Sequence, residues 1–422
     1  MSIALITPQK LSGVITAPPS KSDTHRAIIC ALMSRGVCEI YPIDLSNDVM
    51  STILAAKALG AIVNVYENRL TIDSRAASSK RDVIINCNES ASTLRLLLPV
   101  VSAFGIDACF DGSESLKSRP MSVYKDVLPD FGVRCNYDGQ LPFKISGRLR
   151  PGQFILPGNV SSQFISGMLF ALPTLPSNSE IIVTGTRESA SYIDMTIKTM
   201  AEFGVKIVRT ESGFFVPGYQ KYRPTNYHVE GDWSQAAYFL AAGAIGSSVC
   251  VRGLNMNSLQ GDRAILSILQ RMGASIQLGE DSVIVSPGTL VGLDVFAAPV
   301  PDLVPIVSVL GACANGTTQI FGASRLRYKE SDRLRAMYDG LYRLGVRVIN
   351  SDEGLVIKGK SCFRQANLNG FRDHRIVMAL AIAAIRARGK ISLTSADCIC
   401  KSYPSFFDDY NYLGGKVDIL NV

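Results

Sequence analysis

The sequence is poor in the residues that bind metals and grip nucleic acids. Its three histidines, His25, His228 and His374, are spread along 422 residues, and none stands at a metal-ligand spacing from another. The ten cysteines are scattered, with no C-x-x-C pair. Several lie inside apolar runs such as "AIICALM" and "VLGACAN". Buried reduced thiols in a cytoplasmic protein fit that usage better than a disulfide framework or a zinc site. Charged residues make up 19% of the chain, and its net charge of +7 is dispersed. Without a basic block or a basic stretch interleaved with aromatics, a nucleic-acid partner is not expected, and a small polyanion suits the charge better. No apolar run has the length of a membrane span: "HRIVMALAIAAIRARG" is too short and is bounded by charge, so it reads as a buried helix. The start, "MSIALITPQKLSGVI", lacks a basic leader and is interrupted by Pro8, which predicts no signal peptide and a cytoplasmic location.

What the chain has instead is a repeat. An amphipathic helix, a glycine, a strand, a turn and a second strand recur in "AAKALGAIVNVYENRLTI", "LPDFGVRCNYDGQLPFKISG", "MAEFGVKIVRTESGFFVPG", "LQRMGASIQLGEDSVIVSPG", "LYRLGVRVINSDEGLVIKG" and, cut short, "YNYLGGKVDIL". Gly60, Gly132, Gly204, Gly273, Gly345 and Gly414 mark the period of about 70 residues. A second, more fully apolar helix recurs with the same period, in "HRAIICALMS", "TLRLLLPVVSAFG", "QFISGMLFALP", "WSQAAYFLAAGAIG", "LVPIVSVLGACANG" and "HRIVMALAIAAIRARG". A helix apolar on all sides belongs in a core. Each unit then reads β-α-β-α-β-β, and six of them predict an α/β protein of two domains with three units each.

Polar clusters precede the apolar helices: "SKSDTHR", "NESASTLR", "NVSSQF", "EGDWSQ", "VPDLVP" and "FRDHR". Capping accounts for their Ser, Asp and Asn. It does not account for Arg26, Arg95 and Arg375 near helix starts, where the helix dipole disfavours a cation. An anion bound at the helix end would make such a cation favourable, so these starts read as phosphate or carboxylate sites, expected to converge on a cleft between the two halves. Outside this set, "SLKSRPM" carries Lys117 and Arg119, and "RLRYKESDRLRAM" carries a dense run of arginines that a solvated, salt-bridged helix face would also explain.

Taken in order, these stretches resemble the EPSP synthase family, the 3-phosphoshikimate 1-carboxyvinyltransferases. "PPSKSDTHRA" is similar to the family's P-x-SKS-x-x-x-R motif. "ESASTLRLL", "DGSESLKSRPM", "VSSQFISGMLFALP", "SYIDMTIKTMAEFGV", "VEGDWSQAAYFLAAGA", "VPDLVPIV", "RYKESDRLRAM", "FRDHRIVMALA" and "CICKSYPSFF" follow in the family's order and span the chain. The resemblance implies an inside-out α/β barrel of two domains, 1–18 with 231–422 and 19–230, with the active site in the cleft between them. It implies transfer of the enolpyruvyl group of phosphoenolpyruvate to the 5-hydroxyl of shikimate 3-phosphate, with release of phosphate. Neither a metal nor an organic cofactor is implied, and the chain is expected to act as a monomer.

Carried over residue by residue, the resemblance makes Lys21, Asp302 and Glu330 the catalytic candidates. Lys21, Ser22, Arg26, Ser161, Ser162, Gln163, Ser189, Asp302 and Lys329 would hold shikimate 3-phosphate. Lys21, Ala91, Arg119, Gln163, Arg333, Arg375 and Lys401 would hold phosphoenolpyruvate, with Ser92, Arg95, Tyr192, Asp373 and His374 in support. Asp302 is expected to take the hydroxyl proton; Glu330 and Lys329 belong to the proton-handling group, with Glu330 serving the methylene. A carboxylate among cations has its pKa pushed down, which suits a base better than an acid. Read without the resemblance, Asp302 could be a plain N-cap, Glu330 could simply pair with Arg333 three residues on, and Ser189 could be a loop serine.

The chain departs from the family pattern in places. His25 stands where Asn is common, Glu89 where Asn is frequent, and Ala91 where Gly is usual. The extra methyl at 91 narrows the pocket beside phosphoenolpyruvate, where the family binds glyphosate, so weaker inhibition is expected. Two other readings stay open. One is the sister transferase acting on UDP-N-acetylglucosamine, which carries Lys-Asn near its start and a loop cysteine absent from "GSESLKSRPM". The other is a non-catalytic phosphate- or nucleic-acid-binding protein of the same repeat fold.

Overall fold

The computed structural model describes residues 2–77, 82–117, 119–186 and 188–421. Contacts divide the chain into two compact units, Met1–Pro18 with Glu230–Val422, and Pro19–Val229. Each unit has its own apolar core. Among the described residues no helix is long and apolar enough to cross a membrane.

The fold is mixed α/β and repeats as the sequence period predicts. Among the described residues there are six four-stranded sheets of one topology, three in each unit. In the unit Pro19–Val229, for example, strand Gln153–Pro157 runs parallel to Ser179–Thr184, which pairs antiparallel with Gly213–Val216, and that strand pairs antiparallel with Val208–Arg209. The other five sheets keep the same sequence of one parallel and two antiparallel pairings. Each is open, with two edges. Segments distant in sequence complete several of them. Asn226–His228 returns to pair with Val37–Tyr41, while Gly13–Thr16 pairs with Val249–Arg252 and Ser2–Thr7 inserts between Ile391–Thr394 and Lys416–Asn421. The segment 2–18 is thereby tied to the C-terminal half.

The six apolar segments form the helices Lys21–Met33, Ala91–Phe104, Ser162–Ala171, Trp233–Ile245, Val304–Cys313 and His374–Ala383. Every residue of Trp233–Ile245 is buried, as an all-round apolar pattern requires. Its Gly243 costs helix propensity, but a Cβ there would lie 2.5 Å from the carbonyl oxygen of Val285, so the helix can pack on its sheet only without one. The six glycines that mark the period all have φ between +80° and +101°, the left-handed region in which a helix ends most easily without a Cβ.

This plan sets the helix starts that matter for chemistry. Ser20, Ser90, Ser161, Asp232 and Asp373 each accept a backbone N–H of the first turn of their own helix, as the capping reading predicts. The helix Val304–Cys313 is the exception. It follows the short turn Pro301–Leu303, and Leu303 at its N-cap position offers no side-chain bond.

Candidate active site

In the unit Pro19–Val229, two polar groups form at helix starts. The first surrounds Arg26, which is 4% exposed. Its Nη1 donates to Ser22 O at 2.6 Å, its Nε to Thr196 Oγ1 at 2.9 Å and its Nη2 to Tyr192 O at 2.9 Å. These neutral oxygens orient the guanidinium and do not neutralise it. Lys21, five residues before, places Nζ 2.6 Å from Asp48 Oδ2. Ser189 is buried and stands at the N-cap position of the helix Ala190–Glu202 with a left-handed backbone, φ 55°, without a side-chain capping bond. It therefore sits at a helix end on the same element that carries Tyr192 and Thr196.

The second group joins two other helices. Arg95 Nη1 donates to Gln163 Oε1 at 3.1 Å, and Gln163 Nε2 donates to Ser92 Oγ at 2.9 Å. Arg95 Nη2 donates to Pro120 O at 3.0 Å, which brings the backbone next to Arg119 into the same group. Arg119 is itself buried. Arg95 also lies over the Phe164 ring, 5.0 Å from its centre. Ser161 caps the helix that opens with Ser162 and Gln163, and buried Ala91 opens the helix that carries Ser92 and Arg95.

The other unit gathers five of the remaining candidates around the guanidinium of a sixth, Arg333. Arg333, 1% exposed, donates Nη1 to Asp302 Oδ1 at 2.8 Å, Nη2 to Glu330 Oε2 at 2.6 Å and Nε to Asp373 Oδ2 at 2.8 Å. Arg375 Nη2 donates to the second oxygen of Asp302, Oδ2, at 3.1 Å. Lys329 Nζ stands 3.8 Å from Asp302 Oδ1. Asp373 both accepts from Arg333 and caps its own helix through Arg375 N, 3.0 Å away. Asp302 is thus no plain N-cap, because its carboxylate is turned to two arginines. Glu330 does make the i+3 pair with Arg333, within this larger cluster.

Burial pushes the Asp302 carboxyl up, but Arg375, Lys329 and Arg333 outweigh it and hold the group well below the usual carboxylate range. Burial dominates at Lys329 and, with Arg333 adding to it, brings its ammonium down to about 8 against the pull of Asp302. His374 and Lys401 are buried in the same unit, on the helix His374–Ala383 and on the turn Ala396–Lys401 that packs against it.

Several residues of these clusters escape the sequence reading. Asp48 in "SNDVM" looks like an ordinary acidic residue in a first helical turn, yet it pairs with Lys21. Thr196 lies mid-helix and holds Arg26 from a distance of 170 residues in sequence. Asp262 in "LQGDRA" is 1% exposed and accepts a hydrogen bond from Ser234 Oγ. Burial first, and the charge of Asp302 second, push its carboxyl up to about 7, while Arg375 works in the opposite direction. Only the spacing of acids relative to helix starts hints at these residues, and that spacing is common.

The family model described as EPSP synthase (3-phosphoshikimate 1-carboxyvinyltransferase) matches residues 5–410. A protein of Clostridium beijerinckii named 3-phosphoshikimate 1-carboxyvinyltransferase is 41% identical over 99% of this chain and 98% of its own length. One of the same name from Clostridium acetobutylicum is 42% identical, over 99% and 98%. Among solved structures, EPSP synthase from Acinetobacter baumannii covers 100% of both chains with a TM-score of 0.84 at 24% identity. The enolpyruvyl transferase NikO from Streptomyces tendae covers 100% of this chain and 99% of its own, with a TM-score of 0.82 at 19% identity. At those identities the two structures speak for the fold.

Proposed function

Because the chain belongs to the EPSP synthase (3-phosphoshikimate 1-carboxyvinyltransferase) family, we propose that its polar clusters bind the two substrates of one reaction. The reaction is transfer of the enolpyruvyl group of phosphoenolpyruvate to the 5-hydroxyl of shikimate 3-phosphate, with release of phosphate. Both substrates are small polyanions, so binding them side by side brings several negative charges together. Buried arginines held through hydrogen bonds offset that repulsion without reorganising. Three sheets wrapped around three buried helices in each domain, the family's inside-out α/β barrel, are the arrangement we infer for presenting these helix starts.

Ser22, Arg26, Ser161, Ser162, Gln163 and Ser189 hold shikimate 3-phosphate. Arg119, Arg333, Arg375 and Lys401 hold phosphoenolpyruvate, next to Ala91. Lys21 reaches both. Asp302 accepts the proton of the 5-hydroxyl as its oxygen adds to the central carbon of phosphoenolpyruvate, and the methylene carbon gains a proton from the Lys329 and Glu330 group. Phosphate then leaves that central carbon, and the methyl group returns a proton to restore the enol ether. An anion arriving on Arg333 and Arg375 weakens their hold on Asp302 and raises its proton affinity. The base is thereby engaged when the second substrate is in place.

The observation that carries this reading is a half-buried carboxylate with one oxygen on each of two arginines, Asp302 with Arg333 and Arg375. The test is phosphate release by the purified enzyme. It should require shikimate 3-phosphate and phosphoenolpyruvate together, fail with UDP-N-acetylglucosamine as acceptor, and be lost in Asp302→Ala. Release that needs only one substrate, or survives in Asp302→Ala, refutes the reading.

A further inference from the structure

A chain of four buried groups connects two of the helix starts in the unit Pro19–Val229. His25 Nδ1 lies 2.7 Å from Thr52 Oγ1. Thr52 Oγ1 lies 2.7 Å from Thr93 Oγ1. Thr93 Oγ1 donates to Ser90 Oγ at 2.8 Å, and Thr93 N donates to the same oxygen at 3.1 Å. His25, Thr52, Thr93 and Ser90 are each 0% exposed. No water is needed to complete the path, and none of its members is a substrate ligand in the reading above.

Proton counting gives the chain a direction. A hydroxyl has one hydrogen. Thr93 gives its hydrogen to Ser90, so at the 2.7 Å contact the hydrogen must come from Thr52. Thr52 then has none left for His25, and the hydrogen at that contact belongs to the imidazole. His25 therefore carries a proton on Nδ1, and the polarity runs from His25 through Thr52 and Thr93 to Ser90. Ser90 is the N-cap of the helix Ala91–Phe104, and its oxygen is the acceptor that ends the chain.

The helix that carries Thr52 acts as a frame for both starts. Asp48, Ser51 and Thr52 occupy one face of Asn47–Ala58, at helical spacings of three and four residues. Asp48 takes Lys21, Ser51 accepts from Asn88 Nδ2 at 3.2 Å in the loop before Ala91, and Thr52 joins His25 to Thr93. His25 is adjacent to Arg26, while Ala91, Ser92 and Arg95 lie in the first turn or so of the capped helix. The departure from the common Asn at position 25 thus has a matching partner in a second helix.

We propose that His25 is a positioning residue which, through Thr52 and Thr93, fixes Ser90 and with it the backbone at Ala91, beside phosphoenolpyruvate, and the supporting side chains Ser92 and Arg95. The proposal rests on the functional reading above. By this polarity His25→Phe removes the donor to Thr52 Oγ1, and Thr52→Val removes the donor to Thr93 Oγ1 together with the acceptor of the His25 Nδ1–H, so the chain that holds Thr93 against Ser90 loses its support from behind.

The test uses the full-length enzyme with His25→Phe, Thr52→Val, their double variant, and Thr52→Ser, which keeps the hydroxyl. Each deletion should raise KM for phosphoenolpyruvate about tenfold, the size of effect expected when a buried hydrogen bond is lost. KM for shikimate 3-phosphate and kcat should stay within about twofold, the double variant should be no worse than the singles, and Thr52→Ser should restore the wild-type value. Equal changes in both KM values, no change in either, or additive effects overturn the proposal. If a deletion variant does not fold, Ser90→Gly, which keeps an acceptable cap, is measured against the same expectations. Amide hydrogen exchange over residues 88–95 is read in parallel. Those amides should exchange faster in the variants whatever reaction the enzyme performs, and unchanged protection refutes the inference even if the functional reading itself fails.

Discussion

Arg333 donates Nη1–H to Asp302 Oδ1 at 2.8 Å from a guanidinium that is 1% exposed. The same guanidinium is held by Glu330 and Asp373, so its plane cannot turn without breaking buried charge-assisted bonds. Asp302 is therefore fixed in position by a group that is itself fixed, and Arg375 holds its other oxygen.

Removing that carboxylate has two separable consequences. Asp302→Ala takes from Arg333 one of its three carboxylates and from Arg375 the carboxylate of Asp302, which lowers stability, and it removes the proposed base. Asp302→Asn keeps the volume and one acceptor oxygen. Both variants should lose at least about a hundredfold in kcat, the range of a lost general base. Thermal denaturation should show the larger fall in Asp302→Ala. Asp302→Asn working within threefold of wild type would remove Asp302 from the chemistry.

Lys329 sets an alkaline limb. Burial, with Arg333, lowers its ammonium to about 8, and Asp302 opposes the shift. As the pH rises through that value the positive charge beside Asp302 is lost, so kcat/KM should fall above about pH 8. Lys329→Arg, which stays charged, should move the limb upward. A pH–rate profile with the same limb in both enzymes would rule out Lys329 as its source.

Asp262 makes stability depend on pH in the opposite sense from a paired carboxylate. Its carboxyl is pushed up to about 7 in the folded protein, against about 3.9 in an unfolded chain. Between those values the folded state binds the extra proton, so stability falls as the pH climbs from about 4 to 7 and levels off above. Asp262→Asn has no proton to lose and should flatten that part of the profile, with a difference on the order of 1 kcal/mol or more by pH 8. Urea unfolding across this range measures it, and parallel profiles for the two proteins would show that Asp262 does not titrate there.

Ala91 is buried at the first position of the helix Ala91–Phe104, beside Ser92 and Arg95. In the proposed site this methyl stands beside phosphoenolpyruvate, where a glycine leaves more room. Ala91→Gly should therefore be inhibited by glyphosate at lower concentration than the wild type, with KM for phosphoenolpyruvate also lowered or unchanged. Equal inhibition constants would show that the methyl does not face the inhibitor.

The period, the two kinds of helix, the six glycine caps and the polar helix starts were legible in the chain. Each depends on residues close in sequence, where hydrophobic spacing and capping act through the local backbone. The candidate site was legible in part: Arg26, Arg95 and Arg375 stand near helix starts where a cation is disfavoured, while Lys21, Asp302, Glu330 and Arg333 were marked only by the family resemblance. Which of them meet was not. Asp302 reaches Arg375 across 73 residues, Arg26 reaches Thr196 across 170, and Asp48 and Asp262 become site neighbours only once helices and turns pack. Hydrogen bonds and ion pairs act over a few ångströms in space and carry no signature of sequence distance. Local composition could thus specify the six modules and their charged ends, while the packing of modules alone decided which charge faces which, and hence which carboxylate can serve as a base.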